Sequence, residues 1–367
     1  MGSNPTDEAT SPPPATFDGD PNRQERPSPR RLPFRSRRVL AGSALALTVA
    51  VLIAATVVWG PSTPWMPRPA APRPVATPSA PQESPSPLPV PPPLDETYAL
   101  EYPQPNLEIH AQSAVLVDLD TLQVLWERDP HSRRAPASLT KLVTVLVAMD
   151  LATSLDQVVT VPASATQVEP DSTLMGLSPG ERLSVRDLLY GIFLESGNDA
   201  AETLASAFVP RDRFIQLMNE KAAQLGMRDT HFSNPTGLDA PDHYSSAYDL
   251  AIAAAVIAVH EPELLAIAGA RSVVIPADAD HPEYDMRTLI RLVEVYPGAT
   301  GLKTGYTDDA GYCLAATATR GGRHLLAVVL HSDTNLTTDA ERLLDDGFSI
   351  PVSAEPPPPP AVDFLTQ

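Results

Sequence analysis

The stretch Ala137-Ser138-Leu139-Thr140-Lys141 opens a long apolar run that continues to Met149. Valines, leucines and threonines leave almost no polar face on residues 142–149, which predicts a helix buried on all sides. A serine at such a helix start is ordinarily an N-cap, but a capping box would place Glu or Gln where this chain has Lys141. A cation in the first turn also opposes the positive end of the helix dipole. The sequence therefore favours a chemical role for this lysine.

Ser138 and Lys141 lie three residues apart, so a helix places both side chains on one face. Burial and the helix dipole both disfavour the ammonium form and lower the pKa of the lysine toward the range of a general base. A serine beside such an amine is a candidate nucleophile for acyl transfer. The chain has only three lysines, Lys141, Lys221 and Lys303, which makes their positions informative. The alternative interpretation is an N-capping serine followed by an incidental lysine.

Composition divides the 367 residues into five segments. We predict a disordered cytoplasmic tail, a transmembrane helix in an uncharged apolar run, a proline-rich extracytoplasmic linker, a globular domain large enough to bury a core, and a proline-rich C-terminal tail. In order, these are residues 1–38, 39–60, 61–105, 106–350 and 351–367.

The N-terminal charges predict the orientation of the chain in the membrane. Seven arginines precede the apolar run, so the tail is expected in the cytoplasm and the domain outside. The alternative is a cleaved signal peptide, which would have a shorter apolar core and a small-residue cleavage site.

The net charge of −19 argues against nucleic acid as a partner of the domain. Cys313 is the only cysteine, so no internal disulfide can form.

Hydrophobic periodicity predicts both strands and helices in the domain. The predicted strands are 113–118, 123–127, 157–161, 312–319 and 324–331, and the predicted helices after the first are 183–194, 199–208, 214–225, 245–259 and 338–347. Residues 270–300 have no clear pattern. Gly176-Leu177-Ser178-Pro179-Gly180 matches the nucleophile-elbow pattern, but Pro179 has no N–H for an oxyanion hole. We therefore predict a turn there.

Two further short motifs could contribute to a site. Ser196-Gly197-Asn198 lies between two predicted helices. It is either a plain helix junction, with Gly197 and Asn198 as caps, or a hydroxyl and an amide placed beside the nucleophile. Lys303-Thr304-Gly305 is either a strand end with an exposed lysine or a cation, a hydroxyl and a glycine against which a substrate backbone can lie.

The order S-x-x-K, S-x-N, K-T-G is a specific combination. Together with the stretches LLYGIFLESGNDAAETLA, FSNPTGLD and GATGLKTGYTDDAGYCLAATATR, it resembles the low-molecular-weight D-alanyl-D-alanine carboxypeptidases (serine peptidase family S11). The resemblance covers residues from about 100 to about 350. It implies an α/β (α+β) fold of the serine β-lactamase and DD-peptidase type, in which an antiparallel sheet is flanked by helices and joined to an all-helical lobe, with the first and last strands in one sheet.

The resemblance also implies roles for individual residues. Ser138 would be the acylated nucleophile, Lys141 its general base, and Ser196 the group that assists proton transfer to the leaving group. The expected substrate-binding residues are Asn198, Lys303, Thr304, Gly305 and Tyr306, and the backbone N–H groups of Ser138 and Tyr306 would form an oxyanion hole. The expected substrates are peptidoglycan stem peptides, with β-lactams as covalent inhibitors and no metal or other cofactor.

The sequence departs from the family pattern in three places. An arginine that often precedes the final helix and contacts the substrate carboxylate is replaced by Thr338, for which Arg320 or Arg323 could compensate. An Asn-rich stretch before K-T-G is replaced by Met286-Arg287-Thr288-Leu289, and a glycine at the end of the last strand is His331.

Four alternative functions remain open at this point. A β-lactamase would need a Glu that activates the deacylating water, and no E-x-x-L-N pattern follows Asn198. A zinc peptidase would need ligand spacing that the histidines lack, His281 to Asp285 being the nearest case. A non-catalytic wall-binding module of the same fold is possible because of Thr338. Endopeptidase activity would use the same chemistry on crosslinked peptides.

Overall fold

The centre of the protein is a five-stranded antiparallel sheet with the strand order β2-β1-β9-β8-β7. The computed structural model describes residues 93–101, 104–169 and 172–351. The strands of this sheet are β1 (Ser113–Asp118), β2 (Gln123–Arg128), β7 (Ala299–Thr307), β8 (Gly311–Arg320) and β9 (Arg323–Ser332). Two small antiparallel pairs accompany it: β3 (Val158–Thr160) with β4 (Arg182–Ser184), and β5 (Ser272–Ile275) with β6 (Tyr284–Arg287).

The described residues also form nine α-helices. They are α1 (Thr97–Glu101), α2 (Lys141–Leu151), α3 (Val185–Leu194), α4 (Asn198–Ala207), α5 (Arg211–Gln224), α6 (Ala247–His260), α7 (Pro262–Ala268), α8 (Arg291–Val295) and α9 (Leu336–Ser349). A 3₁₀ turn, Ala137–Thr140, leads directly into α2.

The two faces of the sheet belong to different hydrophobic clusters. Along β1, Val115 and Val117 pack in the larger cluster with α2 and α6, whereas Ala114 and Leu116 pack in the smaller one with α8 and α9. This alternation follows from the two-residue period of a strand. Because both faces are covered, the central strands are apolar on both sides. The prediction that the first and last strands share one sheet is confirmed, since β1 pairs with β9 in antiparallel register.

The turn between β8 and β9 shows why these strands form a hairpin. Gly321 and Gly322 both have positive φ, at 59° and 83°, as a two-residue hairpin turn requires. The strands on either side are ten residues each. The hairpin fixes the register of β8, and β8 in turn pairs with β7, so the segment Lys303-Thr304-Gly305 is held at one edge of the sheet.

Two sequence-based boundaries need correction. The linker was expected to extend to Pro105, but Leu94 is buried, its carbonyl accepts a hydrogen bond from the Tyr248 hydroxyl, and helix α1 follows it. The domain therefore begins earlier, because apolar side chains interrupt the proline-rich segment. The helix predicted from Leu183 begins at Val185 instead. Ser184 and Asp187 form a capping box at that point, and the residues just before it pair with β3.

The poorly patterned stretch 270–300 contains β5, β6, α8 and the start of β7, and helix α7 was not predicted. These elements are short, so their periodicity is weak.

The predicted tail, the apolar run 39–60 and most of the linker lie outside the described residues, as do residues 352–367. Within the described ranges, no single helix is both long enough and apolar enough to cross a membrane, although α6 and α7 pass that test as a pair bent by 108°.

Candidate active site

The predicted nucleophile lies on the 3₁₀ turn at the start of α2. Ser138 is half-buried, while Ala137, Leu139 and Thr140 around it are buried. No side-chain hydrogen bond from Ser138 caps the helix; the N-cap position of α2 is Thr140, which makes no side-chain cap bond either. The capping interpretation of Ser138 is therefore wrong, and its hydroxyl remains available for another contact.

The buried side chain of Lys141 forms a hydrogen bond with this hydroxyl. The lysine is fully buried, and its Nζ lies 2.8 Å from Ser138 Oγ, 2.7 Å from Asn198 Oδ1 and 2.7 Å from the carbonyl oxygen of Thr236. A neutral amine has two N–H donors and one lone pair. The amide and carbonyl oxygens can only accept, so they take both donors, and the lone pair is left facing the Ser138 hydroxyl. This is the geometry of a general base.

The surroundings of Lys141 favour this neutral form. Burial lowers its pKa well below the ordinary value, and the nearby charge of Lys303 lowers it further, while the carboxylates of Asp199 and Glu202 partly oppose the shift. Desolvation acts in this direction because an ammonium group loses more hydration energy than an amine.

A second lysine–serine pair lies beside the first. Lys303 on β7 is fully buried, and its Nζ lies 2.9 Å from Ser196 Oγ and donates to the carbonyl oxygen of Thr304 at 2.8 Å. Burial lowers the pKa of Lys303 to about 7, so this group can gain or lose a proton near neutrality. The interpretation of Lys303 as an exposed strand-end lysine is wrong.

Backbone strain marks the position of Ser196. This residue has φ of 58°, an uncommon left-handed conformation for a side chain other than glycine. The Thr173 hydroxyl donates to the Ser196 carbonyl at 3.0 Å, and the backbone N–H of Asn198 donates to the Thr173 carbonyl at 2.9 Å. Asn198 does not cap α4, whose N-cap position is Gly197. The amide of Asn198 instead binds Lys141.

Asp199 secures the loop against which these residues pack. Its buried carboxylate accepts hydrogen bonds from the backbone N–H groups of Met175, Gly176 and Leu177, at 2.8, 2.8 and 2.9 Å. Three bonds to one carboxylate fix both the loop and the first turn of α4. Gly197 completes the contact, because a Cβ at this position would lie 2.9 Å from the Met175 nitrogen.

The loop from Asn234 to Gly237 is the part of the site that sequence reasoning did not assign. Asn234 Oδ1 accepts from the backbone N–H groups of Thr236 and Gly237, at 3.1 and 2.8 Å. These bonds aim the Thr236 carbonyl at Lys141. Gly237 has φ of 89°, and a Cβ here would lie 1.9 Å from the Ala137 carbonyl oxygen. The sequence predicts a turn here from Asn-Pro-Thr-Gly within FSNPTGLD, but it assigns the turn no role in the site.

His243 attaches the same loop to the nucleophile helix. Its Nδ1 accepts from the Ser233 backbone N–H at 3.0 Å, so the proton is on Nε2, which donates to Thr140 Oγ1 at 2.8 Å. Burial lowers the pKa of His243 to about 4, and the ring is therefore neutral near pH 7. Thr140 directly precedes Lys141, so this bond connects the loop and the base.

The edge strand β7 passes directly against the nucleophile. A Cβ on Gly305 would lie 2.8 Å from the Ser138 nitrogen, so only glycine allows this approach. Thr304 is half-buried, whereas Tyr306 is 54% exposed, packs against the Tyr312 ring and donates its hydroxyl proton to Asp308. Because the Cβ direction of Gly305 points toward Ser138, strand alternation points the Tyr306 side chain to the opposite face.

The structure brings Ser138, Lys141 and Asn198 into direct contact, and it brings Ser196 and Lys303 into a second contact. Thr304 and Gly305 lie beside them on β7. Among the described residues, no three His, Cys, Asp or Glu side chains converge as a metal site would require. The arrangement can activate a hydroxyl, and it has a second proton-carrying pair nearby for a leaving group.

The chain matches proteins of one known family over most of its described residues. A family model described as D-alanyl-D-alanine carboxypeptidase matches residues 99–334. The chain is 38% identical over 253 residues to D-alanyl-D-alanine carboxypeptidase DacF of Bacillus subtilis, covering 66% of this chain and 64% of that protein. It is 41% identical over 242 residues to DacD of Escherichia coli, covering 63% and 61%. The chain thus spans less than two thirds of the length of these two relatives.

Solved structures show the same fold. The crystal structure of a D-alanyl-D-alanine carboxypeptidase from Mycobacterium tuberculosis matches with a TM-score of 0.63 at 35% identity, covering 68% of this chain and 94% of that one.

Proposed function

The chain belongs to the D-alanyl-D-alanine carboxypeptidase family, and we propose that it removes the terminal D-Ala from peptidoglycan stem peptides through an acyl-enzyme on Ser138. β-Lactams would acylate the same hydroxyl. The observation that carries this proposal is the position of Lys141 Nζ, which lies 2.8 Å from Ser138 Oγ while Asn198 and Thr236 take both of its N–H donors. The predicted α/β fold with its antiparallel sheet and helical lobe is the fold of this family.

Acylation begins when Lys141 takes the Ser138 proton. The Ser138 oxygen then attacks the carbonyl carbon of the penultimate D-Ala and forms a tetrahedral intermediate. Its oxyanion is expected to lie between the backbone N–H groups of Ser138 and Tyr306, each worth about 3 kcal/mol. The C–N bond breaks as the leaving nitrogen receives a proton, and free D-Ala departs. Water then attacks the ester with Lys141 as base and releases the shortened peptide.

Ser196 is the expected donor to the leaving nitrogen. Its hydroxyl lies 2.9 Å from Lys303 Nζ, and a lysine whose pKa is about 7 can resupply the proton that Ser196 gives away. Lys141, which holds the proton removed from Ser138, returns it to this pair and restores the resting state. No metal or cofactor enters these steps.

The β-lactamase alternative lacks support at the two carboxylates that act on the pKa of Lys141. Asp199 binds three backbone N–H groups of the 175–177 loop, and Glu202 forms a two-pronged pair with Arg211 at 2.6 and 2.8 Å. Both are occupied with structural contacts, so neither is poised to activate a water for rapid deacylation.

The test is a time course of intact mass for the full chain in detergent with benzylpenicillin. We expect a persistent adduct that maps to Ser138, and release of D-Ala from a peptide ending in D-Ala-D-Ala. Ser138→Ala and Lys141→Met should both abolish the adduct. An adduct that clears within seconds would indicate a β-lactamase, and wild-type labelling of either variant would contradict the assignment. No adduct and no D-Ala release would favour the non-catalytic wall-binding module.

We also propose that the chain is a single-pass membrane protein with its catalytic domain on the outer side. The support is the apolar run 39–60 after seven arginines, followed by a proline-rich segment that can act as a spacer. Fractionation of cells that express the full chain tests this. The protein should stay with membranes after alkaline washing and be cleaved by external protease only beyond residue 60.

A further inference from the structure

A groove opens beside Thr304 on the face of the sheet opposite Lys303. Successive residues of a strand point to opposite faces. The cross-strand partner of Lys303 is Ala315, in the cluster that contains α2, whereas the partner of Thr304 is Leu314, in the cluster that contains α9. A cavity of about 430 Å³ lies on this second face. We call it the Thr304 groove; among its lining residues are Thr304, Arg291, Leu314, Asn335, Thr338 and Glu341.

The proposed reaction directs the leaving residue toward this groove. The acyl carbonyl lies at the backbone of Tyr306, and the leaving nitrogen lies toward Ser196, which is held by Lys303. The leaving D-Ala therefore extends from Tyr306 toward the N-terminal part of β7. Two strand residues span about 6.6 Å, which is close to the reach of one amino acid beyond the scissile bond. Because β7 is an edge strand of the sheet, the carboxylate can pass round this edge and should arrive beside Thr304.

A free carboxylate needs a cation that keeps its charge. Lys303 does not meet this need at and above neutrality, since burial lowers its pKa to about 7. Arg320 and Arg323, which the sequence offered as candidates, are used elsewhere. Arg320 pairs with Asp345, and Arg323 pairs with Asp118 at 2.7 Å while donating to two carbonyl oxygens near the end of α9.

Arg291 remains, and it lines the Thr304 groove. It is the first residue of α8 and is exposed. Among the described residues, no hydrogen bond or ion pair engages its guanidinium. An arginine stays charged across the working pH range and can bind a carboxylate through two parallel N–H bonds. Glu341 lines the same groove. Its negative charge repels anions, so only an anion that pairs directly with Arg291 is expected to bind there.

We propose that Arg291 binds the C-terminal carboxylate of the substrate in the Thr304 groove and thereby makes the enzyme selective for peptides with a free C-terminus. The inference rests on the proposed function, because only a carboxypeptidase needs to recognise this end. Thr338, where relatives often have the arginine, lines the same groove. The cation therefore comes from α8 instead of the segment before α9.

The experiment compares two peptides, one ending in D-Ala-D-Ala with a free carboxylate and one with the same sequence as a C-terminal amide. Release of D-Ala or D-alaninamide is measured for the full chain, for Arg291→Gln, for Arg291→Lys and for the control Arg287→Gln. Arg287 is also exposed but lies on β6 outside the groove.

We expect Arg291→Gln to lower kcat/KM for the free peptide by about 10- to 100-fold, as for loss of a charge-assisted pair, and to leave the amide almost unchanged. Arg291→Lys should retain part of the preference for the free peptide over the amide, and Arg287→Gln should retain all of this preference. Acylation by a penicillin methyl ester should be equal in the wild type and Arg291→Gln, which shows that the nucleophile is intact. An unchanged preference in Arg291→Gln would overturn the proposal. Absence of D-Ala release from the wild type would instead overturn the proposed function.

Discussion

Lys303 is a lysine that folding drives toward its neutral form, and this has a measurable effect on stability. The side chain is fully buried, and burial lowers its pKa from 10.5 to about 7. Between about pH 7 and pH 10.5 the unfolded chain therefore binds more protons than the native one. The free energy of unfolding rises with pH across this window, and below pH 7 the full penalty is present. Replacement by methionine, Lys303→Met, should remove it.

The structure sets the size of this effect. A pKa lowered from 10.5 to about 7 corresponds to about 5 kcal/mol at about 1.36 kcal/mol per pKa unit. Methionine gives up the contacts of Nζ with Ser196 Oγ and the Thr304 carbonyl, each worth about 1 kcal/mol. We therefore expect Lys303→Met to unfold with about 3 kcal/mol more free energy than the wild type at pH 6. At pH 10.5 only the lost hydrogen bonds remain, and the difference should reverse.

The assay is urea unfolding of wild type and variant at pH 6, 7, 8, 9 and 10.5, followed by far-ultraviolet circular dichroism. Lys221→Met is the matched control, because Lys221 is also buried but pairs with Asp150 at 2.6 Å, so its loss should destabilise the protein at every pH. Lys303→Met should also lose acylation by benzylpenicillin while gaining stability. A difference between Lys303→Met and wild type that stays constant with pH, or a less stable variant at pH 6, would refute the reasoning.

Two further predictions concern the loop that sequence reasoning missed. His243→Phe leaves the Ser233 N–H and the Thr140 hydroxyl without their partner, so it should lower the free energy of unfolding by about 2–4 kcal/mol and slow acylation by penicillin. His243→Gln offers one donor and one acceptor and should restore most of the stability and most of the acylation rate. Equal behaviour of the two variants would contradict the positioning role of His243. Gly237→Ala places a methyl group 1.9 Å from the Ala137 carbonyl oxygen at a φ of 89°. Thermal unfolding should therefore show a free energy of unfolding lower by at least about 2 kcal/mol, and acylation should be slower. A variant with wild-type stability and acylation rate would show that the loop can shift without consequence.

Local patterns predicted the parts of this protein that depend on neighbouring residues. The strands β1, β2, β8 and β9 were anticipated within one or two residues, because alternation and glycine-rich turns are short-range signals. The contact between Ser138 and Lys141 follows from helical spacing alone, since residues three apart share a face. The burial of α2 was likewise evident from the absence of a polar face, and the structure confirms it.

The sequence alone could not predict how segments far apart in the chain come together in the site. Lys141 meets Asn198 across 57 residues and Thr236 across 95, and Lys303 meets Ser196 across 107. No sequence period links residues at such separations, because their approach depends on how helices and sheet pack together. Thr236 contributes a backbone carbonyl, which every residue has, so its side chain gave no signal.

The sequence by itself determined the motifs, their order and the chemistry those residue types allow. Tertiary structure alone decided which lysine is buried beside which hydroxyl, and therefore which pKa is lowered, since desolvation depends on the atoms that surround a group. It also decided that Arg320 and Arg323 are engaged in the fold while Arg291 lines the groove beside Thr304. The sequence shows which residues carry a charge, but the packing of the folded chain determines which group each charge pairs with.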